Sequence, residues 1–318
     1  MYRLATLLLI VAVLNLWSCG GGEKEVSPPM QLIYWYGLGV AAVDWIGPWQ
    51  VTAQRPLLQL KIGYPNPGGL DGVTAVSAGE NGMLGLMGWN FESKSYAAFF
   101  LYPSDGRVER IAPGDDSFTM AIMPGNRGIV FLSISSGSPK GSAEDMSKVR
   151  MDIMVYDLVK RQSLRFASGE ASVATQVSLT PDGQSVTFDA VDGWIKSVNL
   201  LTGEVTKLME GHAPAWSPDG RRLAYRQGRS LFVHEVATKT SKKLYTRYFW
   251  QPDFITHLRG ALHWSPDGRY LAVNVWSYSL FPLRPELQEC VVIEAETGTA
   301  SSVGGNSVWC GPWVRQVS

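Results

Sequence analysis

From residue 73 to the C-terminus, apolar and polar residues alternate in short runs, and the runs are broken by clusters of Ser, Pro, Asp and Gly. The pattern is plainest in Ala215-Trp216-Ser217-Pro218-Asp219-Gly220-Arg221-Arg222-Leu223-Ala224-Tyr225. It returns in His263-Trp264-Ser265-Pro266-Asp267-Gly268-Arg269-Tyr270-Leu271-Ala272-Val273. A period of two sends successive side chains to opposite faces of a strand, so each run predicts a half-buried β-strand. The interruption predicts a tight turn. Pro presets φ at the second turn position, Asp suits the third, and Gly accepts the left-handed conformation that follows. Two such strands around one turn make a hairpin with a Gly bulge.

The hairpin is repeated. A looser copy is Ser178-Leu179-Thr180-Pro181-Asp182-Gly183-Gln184-Ser185-Val186-Thr187-Phe188, and a degenerate one runs from Ala121 through Pro124-Gly125-Asn126 to Phe131. A last trace is Val308-Trp309-Cys310-Gly311-Pro312-Trp313-Val314. From Pro124 the prolines step by 57, 37 and 48 residues, the length of a propeller blade. Each unit also carries a second hairpin, as at Asn199-Leu200-Leu201-Thr202-Gly203-Glu204 and Glu294-Ala295-Glu296-Thr297-Gly298-Thr299. Two hairpins are four strands, which is one blade. The units fall at 73–111, 117–167, 173–209, 213–246 and 260–303, with half a blade left at 306–318. Segments of 31–62 can complete it, closing the ring with strands from both chain ends and hiding both sheet edges. The expectation is an all-β chain, one propeller of six four-stranded blades over 31–318. Seven stays open, because 31–62 has room for more than the missing strands.

Composition agrees with short strands and tight turns: 33 Gly, 18 Pro and 12 Trp in 318 residues, with 45% hydrophobic residues. The Trp-Ser-Pro-Asp-Gly-Arg cores at Trp216 and Trp264, each followed by an apolar pair, resemble the WD-like propeller repeats of the TolB C-terminal domain. Similar repeats occur in the propellers of prolyl oligopeptidase-type peptidases. The resemblance covers about 73–318 and is strongest in the third to fifth units. It implies the propeller fold. It does not carry TolB's role with it, because TolB has an N-terminal α/β domain and no lipid, and this sequence reads differently at its start.

That start is Met1-Tyr2-Arg3, then the run Leu4 to Leu14, apolar apart from Thr6, and Leu16-Trp17-Ser18-Cys19. One positive charge, a short apolar core and a small residue before a cleavage point describe an export signal over 1–19. Spanning a bilayer needs roughly 20 apolar residues, more than this run offers. Leu-x-Ser-Cys resembles the bacterial lipobox, which implies cleavage before Cys19, diacylglycerol on its thiol and acylation of its new amino group. Residues 20–30, with Gly20-Gly21-Gly22 and Ser27-Pro28-Pro29, read as a flexible tether. By resemblance to enterobacterial lipoproteins, Gly20 implies the outer membrane, facing the periplasm. Cys290 and Cys310 then remain as an even pair in an oxidising compartment, which predicts a disulfide, the alternative being two buried free thiols.

Charge and motifs narrow the function. Lys and Arg number 28, as do Asp and Glu, so electrostatics supplies no reason to expect a nucleic acid partner. No Gly-x-Ser-x-Gly elbow is present, and His212, His234, His257 and His263 lack metal-ligand spacing. His212 and His263 fall near innermost strands and can approach the central channel, though packing between blades explains them as well. The Asp residues of the Pro-Asp-Gly turns read as turn formers rather than calcium ligands, and Trp216 and Trp264 as interblade core. No metal and no cofactor is expected.

In a four-stranded blade the two tight turns share one face, and the middle loops and the links between blades share the other. The insertions 246–259 and 277–288 belong to that second face. They hold Arg247, Tyr248, Phe249, Trp250 and Phe254, and Tyr278, Phe281 and Arg284. Aromatic and Arg side chains on loops are the usual material of binding hot spots, and the alternative is that they cap the blade ends. The function expected is a non-catalytic envelope lipoprotein that binds a protein or an envelope polymer. The competing reading is a propeller hydrolase or lyase acting on glycan or peptide at the channel mouth, marked by His, carboxylate and Arg converging there.

Overall fold

The computed structural model describes residues 30–35, 39–47, 50–51, 55–60, 70–90, 95–112, 119–136, 149–172, 177–246, 254–279, 287–303 and 309–315. Its elements are β-strands apart from two short 3-10 turns, Glu80–Gly82 and Pro124–Asn126. First come β1 (Met30–Trp35), β2 (Gly39–Gly47), β3 (Gln50–Val51) and β4 (Arg55–Gln59). Blade 1 is β5 (Gly72–Ala78), β6 (Leu84–Asn90), β7 (Ser95–Tyr102) and β8 (Arg107–Ala112). Blade 2 is β9 (Met120–Ile122), β10 (Gly128–Ser136), β11 (Arg150–Asp157) and β12 (Gln162–Ser172). Blade 3 is β13 (Val177–Leu179), β14 (Ser185–Asp189), β15 (Trp194–Asn199) and β16 (Val205–Glu210). Blade 4 is β17 (His212–Trp216), β18 (Arg222–Gln227), β19 (Ser230–Glu235) and β20 (Thr240–Thr246). Blade 5 is β21 (Phe254–Trp264), β22 (Tyr270–Ser279), β23 (Leu287–Glu294) and β24 (Ala300–Val303), and β25 (Trp309–Arg315) ends the chain's strands.

Blades 1 to 5 are antiparallel sheets of four strands in sequence order. Their innermost strands pack around one axis, and β25 meets both β21 and β5, so the ring closes. β25 pairs with β1, β1 with β2, and β2 carries β3 and β4 at its outer edge. The sixth blade is thus shared by the chain ends, and the segment 31–62 is spent in completing it. Six blades is the answer. Cys290 on β23 and Cys310 on β25 are bridged by a disulfide, their Cα atoms 5.1 Å apart, which ties blade 5 to the closing blade.

The Pro-Asp-Gly turns use their side chains locally. In blade 4, Ser217 Oγ donates to Asp219 Oδ1 at 2.6 Å and accepts the Arg222 N–H at 2.9 Å, while Asp219 also accepts the Arg221 N–H at 3.1 Å. The Ser217 and Arg221 bonds, with the Arg222 and Arg221 charges, hold the Asp219 carboxyl below its usual range. Ser265 and Asp267 repeat the arrangement in blade 5, and Thr180 with Asp182 in blade 3. Gly183, Gly220 and Gly268 sit at φ near +70°, the conformation that favours glycine. These carboxylates are occupied as turn formers.

The repeat tryptophans stitch blade to blade. Trp216 Nε1 donates to Thr187 Oγ1 of blade 3 at 2.8 Å, and Trp264 Nε1 to the Ala215 carbonyl of blade 4 at 2.9 Å. Trp313 Nε1 does the same to the His263 carbonyl of blade 5 at 3.2 Å. Each indole N–H finds its acceptor where the ring packs, so the large apolar area is buried without an orphaned donor.

Blade 5 is longer than the repeats imply. Phe254 already lies in β21 and Tyr278 still lies in β22, with Phe254 opposite Ser279 and Ile255 opposite Tyr278 across the ladder. Neither residue is on a loop. The aromatic and β-branched stretches Phe254-Ile255-Thr256 and Val275-Trp276-Ser277-Tyr278 favour strand, and they extend the hairpin beyond its neighbours. Arg247, Tyr248, Phe249, Trp250, Phe281 and Arg284 lie outside the described residues, as do Cys19, the signal and tether residues 20–29, whereas Met30, expected to end the tether, is the first residue of β1.

Candidate functional site

On the ring axis, five innermost strands enclose a cavity of about 90 Å³ lined by Ser77, Thr119, Ala121, Val177, His263 and Pro312, among others. His263 precedes Trp264 as Ala215 precedes Trp216 and Pro312 precedes Trp313, so one repeat supplies an imidazole where its neighbours supply small groups. Its Nε2 is buried with no hydrogen-bond partner among the described residues, and burial pushes the ring's pKa down to about 4. The imidazole is therefore neutral near pH 7. The cavity has room for water.

A larger site lies off the axis. Between blades 3 and 4, on the face opposite the Pro-Asp-Gly turns, three chain segments border a cleft of about 310 Å³. Asp192 comes from the β14–β15 turn and Trp194 from the start of β15, Glu210 and His212 flank the single-residue link Gly211, and Gln227 ends β18. Backbone geometry shapes the middle wall. Gly211 has φ +149°, and a Cβ there would stand 2.7 Å from the Tyr225 ring and 2.8 Å from the Arg226 carbonyl, so only glycine passes. Ala213, at φ +52°, bends the chain again and shifts the β17–β18 register after His212. Asp189 holds that bend by accepting the Ala213 N–H at 2.7 Å. Asp189 is thus a positioning residue for His212.

The charges around the cleft are organised in two layers. Asp189 is buried, and loss of solvent raises its carboxyl to about 7, against the opposing pull of the Ala213 N–H and the Arg226 charge. His212 is half exposed, with Nδ1 3.9 Å from Asp189 Oδ2, beyond hydrogen-bond reach. Burial and then the Arg226 charge lower its pKa. At the outer wall, Lys196 bonds Glu170 at 2.7 Å and Asp192 at 3.2 Å, and Lys207 reaches Asp192 at 3.3 Å. Burial works to raise Asp192, but its bonds to Lys196 and Lys207 prevail and keep it lowered. The Lys207 ammonium also lies 5.0 Å above the Trp194 ring.

Of the residues singled out in the sequence, His263 reaches the axis, and His212 lines the cleft. His212, Asp189 and Arg226 come together, but the lining offers no Ser, Thr or Cys as nucleophile. Among the described residues no group of three or more His, Cys, Asp or Glu is placed to hold a metal. Sequence reasoning passed over Asp189, Asp192, Trp194 and Glu210. One signal was present: Asp189 occupies the repeat position held by Arg226 and Asn274 in the next two blades.

No family model matches the chain. Over 68 residues, 20% of this chain, it is 37% identical to the Tol-Pal system protein TolB of Alcanivorax borkumensis. That match spans 14% of the length of that protein. A solved structure assigned as TolB from Agrobacterium tumefaciens superposes with a TM-score of 0.53 at 14% identity, covering 88% of this chain and 92% of that one. The hydrazine synthase of Kuenenia stuttgartiensis gives 0.49 at 16% identity, covering 76% and 69%. An oligogalacturonate lyase in complex with manganese gives 0.47 at 14% identity, covering 86% and 72%. At 14% identity the superposition at 0.53 is a likeness of fold alone. The chain is a six-bladed β-propeller with repeats similar to those of TolB.

Proposed function

We propose that this protein is a binding scaffold of the bacterial cell envelope, lipid-anchored through Cys19 and recognising another envelope protein or polymer. The observation that carries the reading is the division of the fold. The axis holds a cavity of about 90 Å³ beside His263, while the larger polar and aromatic cleft, about 310 Å³, opens where Gly211 links blades 3 and 4. The likeness to a Tol-Pal system protein supports an envelope setting. Partner capture from native membranes tests it. Trp250→Ala and Phe281→Ala, in the two inserted segments, should each weaken capture by about 1–2 kcal/mol. Equal capture by wild type and both variants would reject the loops as a recognition surface.

The anchor has its own test. Cys19→Ser should move the protein from the membrane to the soluble fraction while its thermal unfolding stays unchanged, and retention of the variant in the membrane would refute lipidation. Anchoring by several acyl chains, at about 0.8 kcal/mol per buried CH₂, is stable where one chain is not. The Cys290–Cys310 bridge should survive in the mature protein, read by non-reducing peptide mapping. Two free thiols would overturn it.

A second reading, a glycan or peptide hydrolase or lyase, draws on the meeting of His212, Asp189 and Arg226. It requires that His212→Gln abolish a turnover that the wild-type protein displays.

A further inference from the structure

The chain enters the propeller on the face of the Pro-Asp-Gly turns. Leu32 pairs with Trp313 in the sixth blade as Leu271 pairs with Trp264 in blade 5, so Met30 stands where Arg269 follows its turn. Residues 20–29 separate Met30 from Cys19. Ten residues span at most about 35 Å when fully extended, and a flexible coil of that length averages about 17 Å. To lay the opposite face on a bilayer, the chain would have to run back along the height of the ring. That height is about 33 Å at the ten-residue β22 of neighbouring blade 5.

The same face exposes apolar side chains. Val159 in the β11–β12 turn is 84% exposed, Leu201 in the β15–β16 turn 82% and Val236 in the β19–β20 turn 41%. These turns lie beside the Pro-Asp-Gly turns, since Gly128 opposes Asp157, Ser185 opposes Asn199 and Arg222 opposes Glu235. Isolated apolar side chains are ordinary on a surface, but these three recur in one turn of three successive blades. Blade 3 lies across the ring from the sixth blade, so the apolar arc is centred opposite the point of entry. At these turns Lys160, Arg161 and Lys239 are offset by Asp157, Glu204 and Glu235, so attraction to anionic lipid is weak.

We propose that the turn face lies against the phospholipid bilayer, held at the sixth blade by the tether, with Val159, Leu201 and Val236 entering the headgroup layer across the ring. The proposal rests on the lipidation of Cys19 in the reading above, and it adds which side of the propeller that lipid commits. The anchor raises the concentration of the tips at the bilayer, so two attachments to one surface reinforce each other. The cleft between blades 3 and 4 is then turned away from the bilayer, toward a partner.

The experiment uses the intact lipidated protein in vesicles of phosphatidylethanolamine and phosphatidylglycerol that carry a nitroxide near the headgroup. A thiol-reactive fluorophore is placed at Leu201→Cys, at Val236→Cys or at Val191→Cys. Val191 is as exposed as Val236 but belongs to the β14–β15 turn, on the opposite face of blade 3. The nitroxide should quench the probes at residues 201 and 236 at least threefold more strongly than the probe at residue 191, in low and high salt alike. Val159→Glu with Leu201→Glu should halve the quenching at residue 236, while flotation with the vesicles and the melting temperature stay unchanged. Equal quenching on both faces, or stronger quenching at residue 191, overturns the proposal. So does unaltered quenching at residue 236 in the double variant. Protein that does not float with the vesicles refutes the anchor and the docking together, whereas the other two results refute the docking alone.

Discussion

Asp189→Asn should raise the stability of the folded protein by roughly 3–4 kcal/mol at pH 8 and leave it nearly unchanged at pH 4. The buried carboxyl titrates near 7 in the fold against 3.8 when exposed, and each unit is worth about 1.4 kcal/mol. Because the folded pKa is the higher one, the native state holds the extra proton between these values. Stability from this group is therefore fully present below about pH 4, declines as pH rises, and is gone above about 7. Asparagine removes the titration and keeps the acceptor. Blade 5 provides the precedent for the acceptor, since Asn274 at the equivalent repeat position accepts the Cys310 N–H at 2.7 Å, as Asp189 accepts that of Ala213; its Nδ2 finds no partner among the described residues, and such a donor offsets part of the gain. Burial of His263, lowered to about 4, acts in the opposite sense and adds stability as pH rises from there to 6.5. The two opposing slopes should leave the wild-type profile shallow between pH 4 and 6.5. The variant should instead gain roughly 3 kcal/mol over that interval. Urea unfolding of both proteins at pH 4, 6.5 and 8 is the measurement. A variant less stable than wild type at pH 8 would show that Asp189 is needed as an anion.

Trp264→Ala should cost about 3–5 kcal/mol, the usual penalty for emptying a large aromatic site in a core. The indole is 8% exposed, belongs to the core shared by blades 4 and 5, and gives its N–H to the Ala215 carbonyl. The Arg222 guanidinium lies 4.7 Å from its ring centre, so truncation also strips the packing from that side chain. Leu201→Ala is the control: Leu201 is 82% exposed at a turn tip, and the change should stay within about 0.5 kcal/mol. Urea midpoints decide between them. A Trp264 loss no larger than the Leu201 one would mean that the blade interface does not depend on its tryptophans.

The turns were legible in the sequence because their chemistry is complete within a few neighbours. Ser217, Asp219, Gly220 and Arg222 satisfy one another inside six residues, so the same run of letters builds the same hairpin wherever it occurs. Counting such runs left six and seven blades open until β1 to β4 proved to pair with β25 in one sheet, while the assignment of Trp216 and Trp264 to the seams followed from their fixed place in the repeat. The ends of blade 5 were less legible. Nothing local distinguishes Phe254 or Tyr278 as loop or strand until the two segments pair with each other.

The cleft could not be read in the same way. Trp194, Glu210 and Gln227 belong to three separate segments, and none forms a motif with its neighbours. Their meeting depends on how the blade 3 and blade 4 turns abut, and on Asp189 capturing an N–H 24 residues away to bend the link at Ala213. The unusual protonation of Asp189 and His263 has the same origin. Sequence supplies the ionisable group, but its pKa comes from the dielectric and charges that surround it, and those exist only once neighbouring blades have closed over it. The sequence by itself determined the repeat, the strand alternation and the turn geometry, since these rest on φ preferences and hydrogen bonds between near neighbours. Only the tertiary structure decided which polar residues share a cavity and which are denied water, since both are properties of the packed ring.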